Sequence, residues 1–287
     1  MKLGVNQWCF PEGYALDHCM RLAAASGFHG FEPNVGESEA PERGGVGRDG
    51  QLPARLSIAS TEADAAALRR HAETLGLELP SLSTALHWTY PLTATDERVR
   101  ERGLAIVERM LVLAKAAGAG AVLVVPGLVT AEVSYRAAYE RALEALRHLA
   151  GLAERLGVTI GVENVWNKFL LSPLEMRRFL EEVGSARVGA YLDAGNVLAF
   201  GYPEHWIEVL GDLICRVHVK DFRLDVGNIH GFVPLGHGDV AWGRVGQALR
   251  RVGYEGYLTV ELPPRPFRPD DGVREAAVTL KAIVEGE

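Results

Sequence analysis

Cysteine is scarce in this chain of 287 residues, and no segment stays apolar for long. The three cysteines, Cys9, Cys19 and Cys215, are scattered and form no CxxC pair. This pattern excludes a disulfide framework and predicts a reducing, cytoplasmic location. No uninterrupted apolar run approaches the roughly 18 residues that a membrane-spanning helix needs. The N-terminus enters a predicted strand at once, without the basic and apolar segments of a secretion signal.

Positive charge and glycine-rich nucleotide motifs are also lacking. The 30 basic residues are outnumbered by 37 acidic ones, which gives a net charge of −7. A nucleic-acid partner or an anionic membrane is therefore not expected. No GxGxxG turn follows any predicted strand, although two dinucleotide-binding halves would need one. The length allows one large domain or two small ones, so the order of the predicted elements has to decide.

Apolar, β-branched segments alternate with amphipathic ones along the whole chain. Eight segments are predicted to be strands: Leu3–Cys9, Phe28–Asn34, Leu79–Leu86, Ala121–Val125, Val158–Val165, Val188–Asn196, Ile214–Asp221 and Gly256–Leu262. Helical periodicity and capping residues predict eight helices: Ala15–Ser26, Thr61–Gly76, Thr95–Ala117, Ser134–Leu156, Ser172–Val183, His205–Leu210, Trp242–Val252 and Asp271–Val284. The glycine-rich segment Gly36–Pro53 is predicted to be a loop.

Eight strand–helix units in under 300 residues fit a (β/α)8 TIM barrel better than an open doubly wound sheet. Strands that are apolar on both faces belong to parallel sheets covered by helices. Composition does not change between the two halves of the chain, so we predict an α/β fold with a single domain over residues 1–287. In such barrels the active site lies at the C-terminal ends of the strands.

Each of the last four predicted strands ends in a residue that can bind a metal ion: Glu163, Asp193, His218 and Glu261. A buried carboxylate is costly unless a cation or hydrogen-bond donors compensate it. Three carboxylates and one imidazole suit a hard or borderline divalent cation. We expect one divalent ion at this end of the barrel, with Mn²⁺ preferred and Mg²⁺, Co²⁺ or Zn²⁺ as alternatives.

These residues carry a family resemblance. The motifs are Glu163-Asn164, Asp193-Ala-Gly-Asn196, His218-Val-Lys-Asp221, Gly236-His-Gly238 and Glu261. They resemble the sugar isomerase/epimerase superfamily of xylose-isomerase-like TIM barrels, above all the L-ribulose/L-xylulose-5-phosphate 3-epimerase and hexulose-phosphate isomerase-like branch. The resemblance covers the whole chain in order and spacing, and it is strongest from Val158 to Leu262.

The resemblance implies that Glu163, Asp193, His218 and Glu261 bind the ion and that the two glutamates exchange a substrate proton. The chemistry is consistent, because a cation stabilises the enediolate that forms when a C–H beside a carbonyl is deprotonated. One carboxylate acts as the base. Return of a proton to the opposite face is epimerisation, and return to the neighbouring carbon is aldose–ketose isomerisation. We therefore expect an isomerase or epimerase of a ketose or sugar phosphate.

Asn196 departs from the Asp-x-x-His pattern that ketose 3-epimerases and apurinic endonucleases usually show. This departure weakens the free-ketose assignment and, with the negative charge, argues against a DNA-repair nuclease. Asn196 is expected either to contact a sugar hydroxyl or to act as a helix cap or turn residue. Other open alternatives are an inosose-type dehydratase or hydroxypyruvate isomerase using the same metal site, and a sugar-binding barrel without turnover.

Further side chains are candidates for substrate contacts, each with an equally simple structural interpretation. They are Trp8, His87, Lys168, Asn196, Lys220, Arg223 and His230. Trp88 beside His87 could form an apolar wall, and Glu32 could support the metal ligands from behind. Segment Phe222–Val240 is polar and is predicted to cover the barrel mouth as a lid. The expected partner is a small carbohydrate, and relatives of this kind often form homodimers or homotetramers.

Overall fold

The computed structural model describes residues 1–37, 52 and 55–286. Within them, eight parallel strands form one sheet and neighbour each other in chain order. The strands are β1 Lys2–Asn6, β2 Gly30–Glu32, β3 Ser81–Leu82, β4 Ala121–Val124, β5 Thr159–Glu163, β6 Val188–Asp193, β7 Ile214–Val219 and β8 Tyr257–Val260. The main helices are α1 Leu16–Ala25, α2 Glu62–Thr74, α3 Glu97–Ala117, α4 Tyr135–Leu156, α5 Pro173–Val183, α6 Pro203–Leu210, α7 Trp242–Arg251 and α8 Pro269–Glu285.

The sheet closes on itself between its first and last strands. Strand β1 pairs with β2 on one side and with β8 on the other. Strands β2 and β3 are joined less extensively. Their pairing consists of two isolated bridges, which join Gly30 to Glu78 and Asn34 to Ser83. This arrangement confirms the predicted TIM barrel in a single domain.

The strands are buried on both faces, as their apolar composition predicts. All six residues of β6 and all four of β4 are buried. The main apolar core lies between the sheet and the helices, and a small cluster of Leu123, Val125 and Tyr191 lies apart from it. Packing on both faces leaves the strand ends as the place for polar side chains. None of the helices in the described part of the chain is long and apolar enough to cross a bilayer.

Capping residues set several helix ends where the sequence predicts them. Thr61 and Asp64 form a reciprocal capping box at the start of α2. Ser172 caps α5, with proline in the first turn. Helix α4 ends at Gly157, whose φ of 70° is the left-handed conformation that glycine adopts without strain.

All eight strands are shorter than their predicted ranges, and in two of them polar side chains turn the chain early. Strand β1 stops at Asn6, whose Oδ1 accepts the Trp8 N–H at 2.7 Å, and Gln7–Cys9 is a 3₁₀ turn. Strand β3 stops at Leu82, and His87 lies in the short helix Leu86–Thr89. The prediction that these segments stay extended to Cys9 and Leu86 is therefore wrong.

Smaller differences concern one cap and two loops. Helix α3 is capped by Asp96, whose Oδ1 accepts the Arg98 N–H at 2.9 Å, and not by Thr95. The predicted loop 36–53 lies largely outside the described residues. Its first residue, Gly36, belongs to a short parallel pair in which Val35–Gly36 lies beside Leu56–Ser57. The loop after β7 contains an antiparallel pair between Asp221–Phe222 and Phe232–Val233.

Candidate active site

The four predicted metal ligands lie together at the C-terminal edge of the barrel. Glu163 and Asp193 are the last residues of β5 and β6, His218 is next to last in β7, and Glu261 directly follows β8. Each offers one ligand atom, and these four atoms all lie within 4.8 Å of one another. Parallel register produces this convergence, since Asp193 and His218 are direct partners in the β6–β7 pairing.

His218 lies at the centre of this cluster and is fully buried. Its Nδ1 is 2.7 Å from Glu261 Oε2 and 3.4 Å from Glu163 Oε1. Its Nε2 faces the other way and lies 2.7 Å from Glu32 Oε2. The imidazole therefore connects the ligand cluster to a carboxylate that lies deeper in the barrel.

Lys220, two residues after His218, places a cation beside the same carboxylates. Its Nζ is 2.9 Å from Glu261 Oε1 and 3.2 Å from Asp193 Oδ2. It also lies 5.7 Å from the centre of the Phe232 ring. The ammonium group thus contacts two of the predicted ligands from the side of the cavity.

Burial and neighbouring charges move the pKa values of the four predicted ligands apart. Burial raises the pKa of Glu163 to about 7, and it also raises the pKa of Asp193 against the effect of Lys220. Burial acts the same way on Glu261, but Lys220 and His218 more than offset it and lower the pKa of Glu261 to about 2. For His218, burial is outweighed by the nearby carboxylates, so its pKa lies well above the ordinary value.

The donor set fits a divalent cation on two observations. Three carboxylates and an imidazole nitrogen converge within ion-binding reach, and this mixed oxygen and nitrogen set suits Mn²⁺ and its neighbours. Asp193 Oδ2 is buried and accepts no well-directed hydrogen bond from the described residues, although Lys220 Nζ lies nearby. A buried carboxylate oxygen without such a donor is costly, and a bound cation would compensate it.

Asn164 and Asn196 join the ends of β5 and β6. Asn164 donates to the Asp193 carbonyl and accepts the Asp193 N–H, both at 2.9 Å. The Asn196 amide donates to the Asn164 carbonyl at 3.0 Å. Asp193, and not Asn196, caps the short helix Ala194–Leu198 through the Asn196 N–H at 2.7 Å. The Asn196 side chain therefore helps to hold two ligand-bearing strands together and also lines the cavity described next.

A cavity of about 470 Å³ opens above the cluster. Its polar lining comes mainly from Glu163, Asn196, Lys220 and Glu261. Its aromatic lining consists of Trp8, Trp88, Trp166 and Phe232. An apolar wall with a few convergent polar groups is the usual form of a small-molecule site, and aromatic faces suit the C–H face of a sugar ring.

Sequence reasoning missed Trp166 and Phe232. Trp166 lies three residues after Glu163, the end of β5, and this position was the available signal. Its ring packs 5.2 Å from that of Phe232, and its Nε1 donates to the Asn196 carbonyl at 3.0 Å. Phe232 has no comparable signal in the sequence, since the antiparallel pair after β7 places it over the cavity.

His87 is fully buried and lies behind the cavity wall. Its Nδ1 accepts the Val125 N–H at 3.4 Å, and its Nε2 has no hydrogen-bond partner among the described residues. Burial lowers the pKa of His87 to about 4, so the ring is neutral. Its neighbours Ala85 and Trp88 line the cavity. A substrate contact for His87 stays a prediction.

Three further predicted contacts lie apart from the cavity lining. Lys168 is exposed after β5 and has a positive φ of 59°. Arg223 pairs with Asp225 on the surface, and His230 is exposed. The roles proposed for Lys168, Arg223 and His230 therefore stay predictions.

Asp221 anchors the loop 222–240 to the end of β7. Its carboxylate accepts N–H groups from Phe222 at 3.0 Å, Gly236 at 2.8 Å and Val240 at 3.3 Å, and the Trp242 Nε1–H at 3.2 Å. In the described part of the chain Asp221 forms no ion pair with its neighbours Lys220 and Arg223, because backbone and indole donors occupy the carboxylate. The loop that carries Phe232 is thus attached to the strand that carries His218.

The barrel and its strand-end cluster define a class, namely TIM barrels with a predicted metal centre at the C-terminal face. The chain belongs to the xylose isomerase-like TIM barrel family, whose model matches residues 20–283. This membership confirms the resemblance seen in the sequence. The L-ribulose-5-phosphate 3-epimerase UlaE of Salmonella paratyphi A is 26% identical over 268 residues, which cover 91% of this chain and 87% of that protein.

Solved structures share the fold. A D-psicose 3-epimerase determined in the presence of D-fructose is 19% identical, with a TM-score of 0.77 over 100% of both chains. An L-ribulose 3-epimerase has a TM-score of 0.79 at 18% identity and covers 99% of this chain and 94% of its own. The IOLI protein, solved with a zinc atom, has a TM-score of 0.78 at 19% identity over 99% and 98% of the two chains.

Proposed function

We propose that this protein is a divalent-metal-dependent epimerase or isomerase of a ketose or sugar phosphate. One observation carries the proposal: Glu163 and Glu261 both line the cavity and both approach His218 Nδ1 in the four-residue cluster. Relatives named as sugar 3-epimerases support it. The same arrangement would serve a phosphorylated or a free ketose, since relatives of both kinds share the family fold.

Glu163, Asp193, His218 and Glu261 would hold the ion, with Mn²⁺ as the preferred candidate. When bound, the ion supplies positive charge that stabilises negative charge developing on substrate oxygens. Asp193 Oδ2, which is buried and accepts no well-directed hydrogen bond from the described residues, supports this assignment. Lys220 would add a fixed positive charge on the cavity side of Asp193 and Glu261.

Glu163 and Glu261 would move the proton. One carboxylate takes the proton from the carbon next to the carbonyl, and the other returns one. Return on the opposite face of the same carbon inverts its configuration, whereas return to the neighbouring carbon converts a ketose into an aldose. Trp8, Trp88 and Trp166 would hold the apolar face of the sugar and keep bulk water from the reacting carbon.

The test is a screen of ketoses and ketose phosphates in D₂O with Mn²⁺, followed by NMR. Deuterium at one carbon with inverted configuration would identify an epimerase, and transfer between neighbouring carbons would identify an isomerase. Absence of exchange in every sugar, with Mn²⁺ bound to the protein, would contradict the proposal. Oligomeric state and cytoplasmic location stay predictions and do not affect this test.

A further inference from the structure

Glu32 at the end of β2 is a fully buried carboxylate that the proposed proton transfer does not use. Four donors from four different strands contact it: Asn6 Nδ2 at 2.6 Å, Ser81 Oγ at 2.7 Å, Tyr191 Oη at 2.7 Å and His218 Nε2 at 2.7 Å. A buried carboxylate is tolerated when donors satisfy it in this way. Four short bonds also fix its orientation.

The bond to His218 determines how that imidazole can act. A neutral imidazole carries hydrogen on one nitrogen and a lone pair on the other. An ionised carboxylate only accepts hydrogen bonds, so the bond to Glu32 places the hydrogen on His218 Nε2. With that hydrogen fixed on Nε2, Nδ1 is the nitrogen that can bind a cation, and it faces Glu163 and Glu261. Without a cation, Nδ1 carries a hydrogen directed at Glu261, and a bound ion would replace it.

We propose that Glu32 is a positioning residue that holds His218 in the tautomer and orientation needed to bind a divalent cation through Nδ1. Glu32 acts through His218 and is absent from the cavity lining. Carboxylates behind metal-binding histidines fix the ring and typically change metal affinity 10- to 100-fold. This inference rests on the proposed function, because it assumes the metal centre of that proposal.

Tyr191 provides a matched control. Its hydroxyl is one of the four donors to Glu32, and its ring packs 4.4 Å from that of His218. Tyr191→Phe removes one bond to the carboxylate but leaves the Glu32–His218 bond and the ring packing in place. Glu32→Gln keeps the shape of the side chain and removes the charge that favours hydrogen on His218 Nε2.

The experiment titrates metal-depleted protein with Mn²⁺ by calorimetry, without substrate. We expect Glu32→Gln to weaken Mn²⁺ binding about 10- to 100-fold, while Tyr191→Phe changes it less than threefold. The melting temperature of each metal-depleted variant reports folding separately. Equal Mn²⁺ affinity in wild type and Glu32→Gln, or an equal loss in both variants, would overturn the positioning role.

A second measurement needs no variant. In wild-type protein loaded with Zn²⁺, ¹⁵N NMR of the His218 ring should show a hydrogen on Nε2 and the metal on Nδ1. The opposite assignment, or no ion bound, overturns the inference. One combination of results separates the two proposals. If Glu32→Gln weakens Mn²⁺ binding but the wild-type protein turns over no ketose, the positioning role is supported and only the proposed function is contradicted.

Discussion

Strands β5 to β8 each bring one predicted metal ligand to the cluster, whereas strands β1 to β4 bring none. The early half contributes support and enclosure instead. Glu32 on β2 holds His218 from behind, and Trp8 and Trp88 line the cavity. The two halves also differ in form, since β2 and β3 have three and two residues while β6 and β7 have six each. The comparison indicates that a ligand set and its support can occupy opposite sides of one barrel.

The largest expected effect on activity comes from the predicted ligands in the late half of the barrel, strands β5 to β8. With Mn²⁺ saturating, Glu163→Gln or Glu261→Gln should lower solvent proton exchange about 10³-fold or more, because an amide cannot take the proton. Exchange is measured by NMR on the substrate found in the screen. Glu255→Gln, an exposed position before β8, is the matched control and should keep full activity. A Glu261→Gln variant with more than a tenth of wild-type turnover would contradict the assignment.

The second prediction concerns His87, which follows β3 in the early half of the barrel. Its burial should make the free energy of unfolding depend on pH. Its pKa is about 4 in the folded protein against an ordinary value of 6.5. The unfolded chain therefore binds the proton first, so the contribution of His87 to stability is complete above pH 6.5 and is lost as the pH drops toward 4. The difference between the two pKa values corresponds to a loss of roughly 3 kcal/mol in the free energy of unfolding. Denaturant titrations between pH 4 and 7 should show a flatter profile for His87→Gln.

The exposed His148 supplies the control for this pH profile. Its side chain is 63% exposed and pairs only with Glu108 among the described residues. His148→Gln should keep the wild-type slope. An unchanged slope in His87→Gln would show that another group causes the pH dependence.

Trp88 should affect substrate binding more than chemistry. It is 48% exposed, lines the cavity and is not one of the four predicted ligands. Trp88→Ala should raise KM about tenfold, as expected for a lost aromatic contact of roughly 1.4 kcal/mol, and lower kcat less than threefold. Steady-state kinetics measure both values. Phe267→Ala, which is 81% exposed and outside this cavity lining, should change neither.

The smallest expected effect is in helix α2. Thr61→Ala removes the capping box and should lower the free energy of unfolding by about 1 kcal/mol. Thr74 at the other end of the same helix is the control, because within the described residues its hydroxyl bonds only to the His71 carbonyl. Thr74→Ala should stay within about 0.5 kcal/mol of wild type. Mn²⁺ affinity should not change in either variant, and a change would link this helix to the metal centre.

The late half was the easier half to predict, for a physical reason. Its strands are apolar and largely buried, and a charged or imidazole side chain whose burial requires a partner stands at, or within one residue of, each strand end. The signal for Glu163 or Asp193 is therefore contained within a few residues of sequence. Parallel register in a barrel then brings such strand ends together without further information.

The early half could be predicted less well because its contacts are long-range. The sequence suggested that Glu32 supports the metal ligands, but it could not identify His218 as the partner, since the two residues are 186 positions apart and no local pattern links them. The end of β3 was misread because Thr84, which accepts the Leu86 N–H and donates to the Val35 carbonyl, turns the chain into a helix. Apolar residues at 85 and 86 continue the strand pattern, and tertiary hydrogen bonds override it.

The four hydrogen bonds that Asp221 accepts anchor the base of the loop after β7, whereas residues 223–230 form an exposed tip. The base of the loop is held by Asp221, which closely follows the strand that carries His218. Residues 223–230 extend beyond this base. Insertions or exchanges in that tip would reshape the cavity roof while the ligand strand keeps its register. The molecule therefore offers a natural grafting point, at which substrate range can be re-engineered without rebuilding the centre below it.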